Sequence, residues 1–457
     1  MIGADASRDE PARGRTGRRH GDVELMTTIA PKHHVAHALN QLRHVPGLTA
    51  VTRGREIRKA GVVGAGLMGS GIAVCLLAAG VPTTLVDVTQ SALDRGRSGV
   101  EKALASFVKR GLMFESQAKG LQALLSESLE FSALADCDVI IEAVYEKLTL
   151  KEEVFRRLGE IAKPGAILAT NTSGLDVDRI ASASGRAADV VGLHFFSPAF
   201  MMPLLEIVRG RETSLEVLRS ALHLSTIMRK VGVVVGNSPG FAANRTLEGY
   251  GRESEFLVLE GARPEDVDRA LTQFGFPMGP CAMGDMAGLD IRNHYVEALR
   301  EARLIPPDPR YGALTKALVA AGRLGQKTSA GNYDYGPDGR TPIPSARALE
   351  IRDRVARELG VPQRAFTDEE IVMRCLLPVI DEAARVLAEG VVPRASDIDV
   401  IWVYGYGFPA AKGGPIYLAR QLGLDAVRQG IDARRRADPG FGDRYWTPNA
   451  SLELLFT

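Results

Sequence analysis

The sequence predicts an α/β fold, in which a doubly wound, mostly parallel sheet is followed by a duplicated all-helical domain. Three observations predict it. Short β-rich runs alternate with helical stretches from Arg58 to Gly236. The first of these runs leads directly into a glycine-rich turn and an apolar helix. After Pro239 the β-runs stop, helical periodicity takes over, and one ordered series of motifs occurs twice.

The β-runs are AGVVGAG (60–66), TTLVD (83–87), DVIIEAV (138–144), AILATNT (166–172), VVGLHFF (190–196), LLEIV (204–208) and VGVVVG (231–236). Between the early ones lie helix-compatible segments such as SGIAVCLLAAG and LKEEVFRRLGEIA, the pattern of a parallel sheet with crossover helices. The first helical unit reads NRTLEGYGRESEFLVLEGARPEDVDRAL, then FGFPMGP and GLD (244–290). The second reads MRCLLPVIDEAARVLAEGVVPRASDIDVIW, then YGFPAAKGGP and GLD (373–425). Each has a helix ending at Glu-Gly (Glu260-Gly261, Glu389-Gly390), a Pro-containing link, an Asp-x-Asp helix start and Gly-Phe-Pro. The series is read as a duplication joined by a linker around Gly331–Arg347. The expected segments are a disordered tail and linker (1–57), a dinucleotide-binding domain (58–236) and two helical copies (237–345 and 346–457).

Composition bounds the class. A hydrophobic fraction of 45% and a net charge of +1 describe an ordinary globular chain and argue against polyanion or nucleic-acid binding as its main business. Cys75, Cys137, Cys281 and Cys375 are scattered with no CxxC pair, so the sequence suggests a reducing compartment and no metal site. No apolar run reaches the roughly 18 residues that span a bilayer. The chain therefore reads as soluble and cytoplasmic, without membrane association. The stretch 1–26 is rich in Arg, Asp and Gly and lacks the apolar core of a secretory signal.

GVVGAGLMGSGIA supplies Gly64-x-Gly66-x-x-Gly69, with Leu67 and Met68 inside the motif. The first glycine permits a tight turn, the second opens the backbone to pyrophosphate, and the third lets helix and strand pack closely. The free N–H groups at the helix start favour phosphate. Asp87 ends the second strand, at the place in such a unit where a carboxylate receives ribose hydroxyls and repels a 2′-phosphate. Together they predict a Rossmann-type domain that binds NAD in preference to NADP, although Arg95 and Arg97 lie near Asp87 in sequence.

Five histidines (His20, His33, His34, His37, His44) precede the expected folded body, which keeps His194, His223 and His294. Hydride removal from an alcohol needs a base, and imidazole titrates near neutrality. His223 and His294 sit in helical stretches, whereas His194 ends a β-run on the ligand-binding side of a doubly wound sheet. Glu206 follows on the next β-run, past Pro198 and Pro203, which punctuate a turn between the two. Taken singly, a satisfied core histidine and a strand glutamate remain open readings.

NTSGL (171–175), GLHFFSPA (192–199), LLEIV (204–208), NSPGFAANR (237–245), MGPCAMGDMAGLD (278–290) and GRLGQKT (322–328) resemble the signatures of the 3-hydroxyacyl-CoA dehydrogenase family. The wording of the second helical unit is most similar to the dehydrogenase half of bifunctional enoyl-CoA hydratase/dehydrogenases. The resemblance implies NAD-dependent, reversible oxidation of an (S)-3-hydroxyacyl-CoA thioester. His194 would be the base, Glu206 its orienting carboxylate, Ser173 a hydrogen-bond partner of the reacting oxygen, and Asn244 a substrate-positioning residue. Glu146, Lys151, Ser173, Ser197 and Lys327 match positions near the cofactor, and Lys109 and Arg110 are candidates for CoA phosphates, with a solvated basic face as the alternative.

Some features depart from the family pattern. Gly174 stands where Ser or Thr is usual and is expected to loosen the turn that aims Ser173. Ser329 and Asn332 replace the usual glycine and aromatic downstream of Lys327. The stretch before Gly64 is too short for a hydratase domain, so the chain reads as a dehydrogenase half standing alone, with a separate hydratase as a candidate partner. HALNQLRHVPGLTAVTRGREIRK resembles the helix and linker that join the two halves elsewhere. Two helical copies in one chain suggest a monomer whose internal pairing replaces a dimer. A β-hydroxyacid dehydrogenase acting on a free acid, and a catalytically weak NAD/CoA-binding subunit, are the competing readings.

Overall fold

The computed structural model describes residues 30–447 and 449–457, so the disordered tail expected over 1–26 lies outside the described residues. Helix α1 (Pro31–Gln41) comes first. The sheet domain then runs β1 (Ala60–Val63), α2 (Leu67–Ala78), β2 (Thr83–Val86), α3 (Gln90–Lys109), α4 (Glu115–Gln122), β3 (Leu125–Ser128) and β4 (Val139–Glu142). It continues with α5 (Leu148–Ile161), β5 (Ile167–Thr170), α6 (Val177–Ala183), β6 (Val190–Phe195), β7 (Leu204–Arg209), α7 (Leu215–Ile227) and β8 (Val231–Gly236).

The eight strands lie in the order β3-β2-β1-β4-β5-β6-β7-β8, parallel except where β6 meets β7. Strands β1, β2, β4 and β5 are buried along their whole length, which is why they read as unbroken apolar runs. Sequence reading missed β3. Its LSES composition is polar and it sits at the sheet edge, half exposed, so neither alternation nor an apolar run marks it.

The helical region comprises α8 (Ala243–Leu259), α9 (Pro264–Phe274), α10 (Pro280–Ala287), α11 (Leu289–Glu301), α12 (Ala313–Ala320) and α13 (Ala346–Glu358). It goes on through α14 (Asp368–Ala388), α15 (Ala395–Gly405), α16 (Pro415–Leu422), α17 (Leu424–Ala437) and α18 (Gly442–Tyr445). The expectation that β-runs end at Pro239 needs correction, because an antiparallel ribbon of β9 (Tyr333–Tyr335) and β10 (Pro342–Pro344) occupies the expected linker. The boundary at 345/346 also places α13 in the wrong unit. Its buried face (Ala348, Ile351, Val355) packs on α8 and α12, and Arg352 donates to the Ala262 carbonyl of the first unit.

The two helical units meet through reciprocal contacts. Arg245 of α8 binds Glu382 (2.6 Å) and Glu389 (2.5 Å), while Arg374 of α14 binds Glu253 (2.8 Å) and Glu260 (2.5 Å). A Cβ added at Gly275 would lie 2.9 Å from Pro409, and one at Gly407 2.7 Å from Pro277. Between these turns the rings of Phe276 and Phe408 meet edge to face at 5.4 Å. The Asp-x-Asp signatures have matching roles, since Asp268 accepts from Cys281 N (2.8 Å) and Asp399 from Ile416 N (2.7 Å), each at the start of the next helix. Contacts in which i meets j and j meets i are those of an isologous twofold interface, here within one chain.

Helix α1 also belongs to this body. It buries Val35 and Ala38 and packs on α15, and His34 Nε2 lies 2.8 Å from Asp399 Oδ2. His34 is thus not outside the folded body, and the described part of the expected tail and linker begins as a docked amphipathic helix. Among the described residues, no helix is long and apolar enough to cross a membrane. No His/Cys/Asp/Glu cluster among them could hold a metal.

Candidate active site

The glycine motif forms the turn between β1 and α2. Gly64 has φ +101°, and a Cβ there would lie 2.6 Å from the Ala143 carbonyl oxygen. A Cβ on Gly69 would lie 1.7 Å from the Gly64 carbonyl oxygen, so only glycine lets the helix sit this close. At Gly66 it would meet nothing within 4 Å. The helix start therefore faces open space, which suits a pyrophosphate at backbone N–H groups. Leu67 is exposed and Met68 half-buried beside it. Asp87 Oδ2 accepts from Ala65 N at 2.7 Å and Oδ1 from Val88 N at 2.7 Å, which fixes the carboxylate against the turn. Arg97 is held by Glu127 and Arg95 by Ser91, so both guanidiniums near Asp87 in sequence have partners of their own.

His194 and Glu206 are direct partners in the antiparallel pairing of β6 with β7, the one such pairing of the large sheet among the described residues. Opposed residues of an antiparallel pair point to one face, and here Nδ1 and Oε2 are 2.8 Å apart. Glu206 is fully buried, and its second oxygen accepts from Ala242 N (3.2 Å) and Ala243 N (2.9 Å) at the start of α8. A helix N-terminus favours a carboxylate, so the first helical unit holds the sheet's buried acid. The imidazole lies between Phe196 and Phe241, with ring centroids at 4.5 and 5.8 Å. Phe241 has φ +54°, a strained value for a residue other than glycine. With Nδ1 committed to Glu206, Nε2 is the ring nitrogen left to exchange a proton with a ligand.

A second chain of contacts approaches from β4. Lys151, 1% exposed, binds Glu142 at 2.7 Å and Glu146 at 3.3 Å, so it is no surface charge. Thr170 Oγ1 donates to Glu142 at 2.7 Å. Glu146 accepts from Thr172 Oγ1 (2.6 Å), Ser173 N (2.7 Å) and Ser173 Oγ (2.9 Å). Burial opposes its ionisation, but the charge of Lys151 and these donors hold the carboxyl below its usual range. Asn244 Nδ2 donates to the Ser173 carbonyl at 2.9 Å, and Tyr406 donates to Asn244 Oδ1 at 3.2 Å. The expected looseness at Gly174 is corrected. Thr172 Oγ1 accepts from Leu175 N at 3.0 Å, and a Cβ at 174 would lie 2.8 Å from Gly240 N. The glycine allows a close approach of two turns rather than freedom.

Four expected residues stand apart from this network. Lys327 pairs with Asp290 at 2.5 Å within the first helical unit. Ser197 is exposed just after β6, and Lys109 and Arg110 are exposed at the end of α3. Sequence reasoning did not single out Glu142, the ring pair Phe196 and Phe241, or Tyr406. Glu142 carried a legible signal, a carboxylate inside an apolar β-run. Tyr406 carried none, because it arrives from the other helical unit, far beyond Asn244 in the chain.

Comparison with known proteins gives a consistent answer. Residues 59–238 match the family model described as 3-hydroxyacyl-CoA dehydrogenase, NAD binding domain, and residues 240–335 and 371–456 match 3-hydroxyacyl-CoA dehydrogenase, C-terminal domain. The peroxisomal bifunctional enzyme of Danio rerio is 39% identical over 398 residues, 84% of this chain and 54% of that protein. The chain thus spans about half the length of the curated relatives it matches. A 3-hydroxybutyryl-CoA dehydrogenase from Escherichia coli superposes with a TM-score of 0.75 at 25% identity, covering 88% of this chain and 98% of that one. The dehydrogenase part of multifunctional enzyme 1 from C. elegans gives 0.68 at 29% identity, covering 93% and 96%.

Proposed function

The chain belongs to the 3-hydroxyacyl-CoA dehydrogenase family, and on that premise we propose that it interconverts (S)-3-hydroxyacyl-CoA and 3-oxoacyl-CoA thioesters with NAD. The observation that carries this reading is the buried His194–Glu206 pair at 2.8 Å, on strands of the same sheet as the glycine turn, with Nε2 uncommitted. Bound NAD supplies the hydride acceptor. His194 Nε2 takes the C3 hydroxyl proton, and Glu206 fixes the ring and stabilises its charged form. Asn244 Nδ2 gives its second N–H to the C3 oxygen as it becomes a carbonyl, and Ser173 Oγ turns its single proton from Glu146 to the same oxygen. Gly64, Gly66, Leu67, Met68, Gly69 and Asp87 hold the adenosine and pyrophosphate half. Glu146, Lys151, Ser173 and Ser197 shape the nicotinamide side, with Lys327 on the helical wall, while Lys109 and Arg110 offer charge to CoA phosphates.

The test is NADH absorbance with purified protein and acetoacetyl-CoA, followed by a series from short to long acyl chains. Absence of turnover above a His194→Ala control would overturn the reading. Within it, Asp87→Ala is expected to cut the preference for NADH over NADPH by about tenfold, because the charge that repels a 2′-phosphate is gone. Ratios of kcat/KM for the two cofactors check it.

We further propose fatty-acid β-oxidation as the chemical context, with a hydratase supplying the 3-hydroxy thioester by adding water to an enoyl thioester. The expected cytoplasmic location gains no support, since the relatives are named peroxisomal. The domain reading keeps 58–236 as the cofactor domain and moves α13 to the first helical unit.

A further inference from the structure

The two helical units repeat each other's Arg–Glu and Gly-Phe-Pro contacts, but not the contacts at the candidate active site. Asn244 precedes Arg245, and at the equivalent place before Arg374 stands Met373. Tyr406 precedes Gly407-Phe408-Pro409, and before Gly275-Phe276-Pro277 stands Phe274. The arginines, glycines and prolines thus occur on both sides, and the amide and the phenol on one side only. That side faces the sheet. A Cβ at Gly405 would lie 2.6 Å from Leu204, which puts the end of α15 against the strand that carries Glu206. The ring of Tyr406 meets Phe196 edge to face at 5.9 Å, and Phe196 lies against His194 at 4.5 Å.

We propose that Tyr406, supplied by the second helical unit, is a positioning residue that locks the Asn244 side chain for work on the substrate oxygen. The inference rests on the reading of Asn244 given above. The Ser173 carbonyl can only accept, so it takes one N–H of the Asn244 amide (2.9 Å), and the phenol hydroxyl donates to Oδ1 (3.2 Å). Both polar ends of the amide are then fixed, and its second N–H is left for a ligand. Burial and the nearby charge of Glu206 push the Tyr406 hydroxyl well above its ordinary pKa, so it stays a donor across the working range. The mirrored Phe274 stacks on Phe276 at 6.0 Å without a hydroxyl, so the pairing of the two units does not require one at that position.

Tyr406→Phe keeps the ring contacts and removes only the donor. It is expected to lower kcat for acetoacetyl-CoA roughly tenfold, the scale of one misplaced hydrogen-bonding group, with KM for NADH unchanged and the melting temperature lowered by no more than the few degrees that one hydrogen bond is worth. In an Asn244→Ala background the same substitution is expected to change kcat less than about twofold, since coupled residues do not add. Full kcat in Tyr406→Phe, or an undiminished tenfold loss in the Asn244→Ala background, would overturn the role of Tyr406 while leaving the dehydrogenase reading in place. Failure of the wild-type protein to turn over acetoacetyl-CoA would instead overturn that reading, and wild-type kcat in Asn244→Ala would remove the premise of the lock.

Discussion

Glu206→Gln is expected to lower kcat for oxidation of (S)-3-hydroxybutyryl-CoA by NAD by about 10³-fold, close to the loss expected from His194→Gln and within the range of a general acid–base group. The equality follows from where the second oxygen of Glu206 goes. Ala242 N and Ala243 N at the start of α8 both require an acceptor, and in the wild type Oε1 fills that place. A glutamine amide satisfies them only with its oxygen turned to the helix, which leaves its NH₂ against His194 Nδ1. The imidazole must then accept at Nδ1 and carry its proton on Nε2, the tautomer that cannot take a proton from substrate. A purely electrostatic role for Glu206 would be weaker, because neutralisation alone leaves the neutral base available. NADH binding, followed by fluorescence titration, should be unchanged in both variants. A Glu206→Gln enzyme within tenfold of wild type would show that the helix does not dictate the tautomer.

The legible part of this site is the part that local chemistry writes. Gly64, Gly66, Gly69 and Asp87 are consecutive in one β-α-β unit, so spacing alone places them. His194 and Glu206 are legible as a pair because two prolines between β-runs imply a hairpin, and a hairpin register sets opposed residues face to face. Glu146 and Lys151 were read from the family resemblance, but their partner Glu142 was not, although an acid inside an apolar strand is a cost that demands a partner. Other features lie beyond any local pattern. The capping of Glu206 by α8 and the bond from Tyr406 to Asn244 are contacts between units, made by backbone groups or by a side chain from the far end of the chain. Strand β3 stayed hidden for the opposite reason, being a polar edge whose identity comes only from pairing with β2. Helix α13 was misassigned because sequence order placed it after the linker, whereas its buried face belongs to α8 and α12.

The reciprocal contacts between the helical units predict an unequal response to mirrored substitutions. Arg374 is buried with its partners, its side chain 2% exposed against Glu253 at 2% and Glu260 at 18%. Arg245 is less enclosed, at 17% against Glu382 at 25% and Glu389 at 50%. Arg374→Met leaves Glu253 buried with Arg252 alone, and removal of one partner from a buried ion pair costs about 3 kcal/mol or more. Arg245→Met breaks a pair nearer water and should cost about 1 kcal/mol. Burial opposes ionisation of Glu253, yet Arg252 and Arg374 hold its carboxyl below the usual range. Such a group adds stability above its unfolded pKa, and that contribution is lost as pH falls through the folded value. The gap between wild type and Arg374→Met should therefore be largest near neutrality and close progressively below pH 4.5, the ordinary value for a glutamate. Thermal melts of the three proteins at neutral and acidic pH check both points, and equal shifts for the two arginines would contradict the difference in burial. Because these arginines already have partners within the chain, neither substitution should change the mass measured by light scattering, which is expected to be that of one chain at low micromolar concentration. A stable dimer that Arg374→Met dissociates would mean that the units pair between chains and not within one.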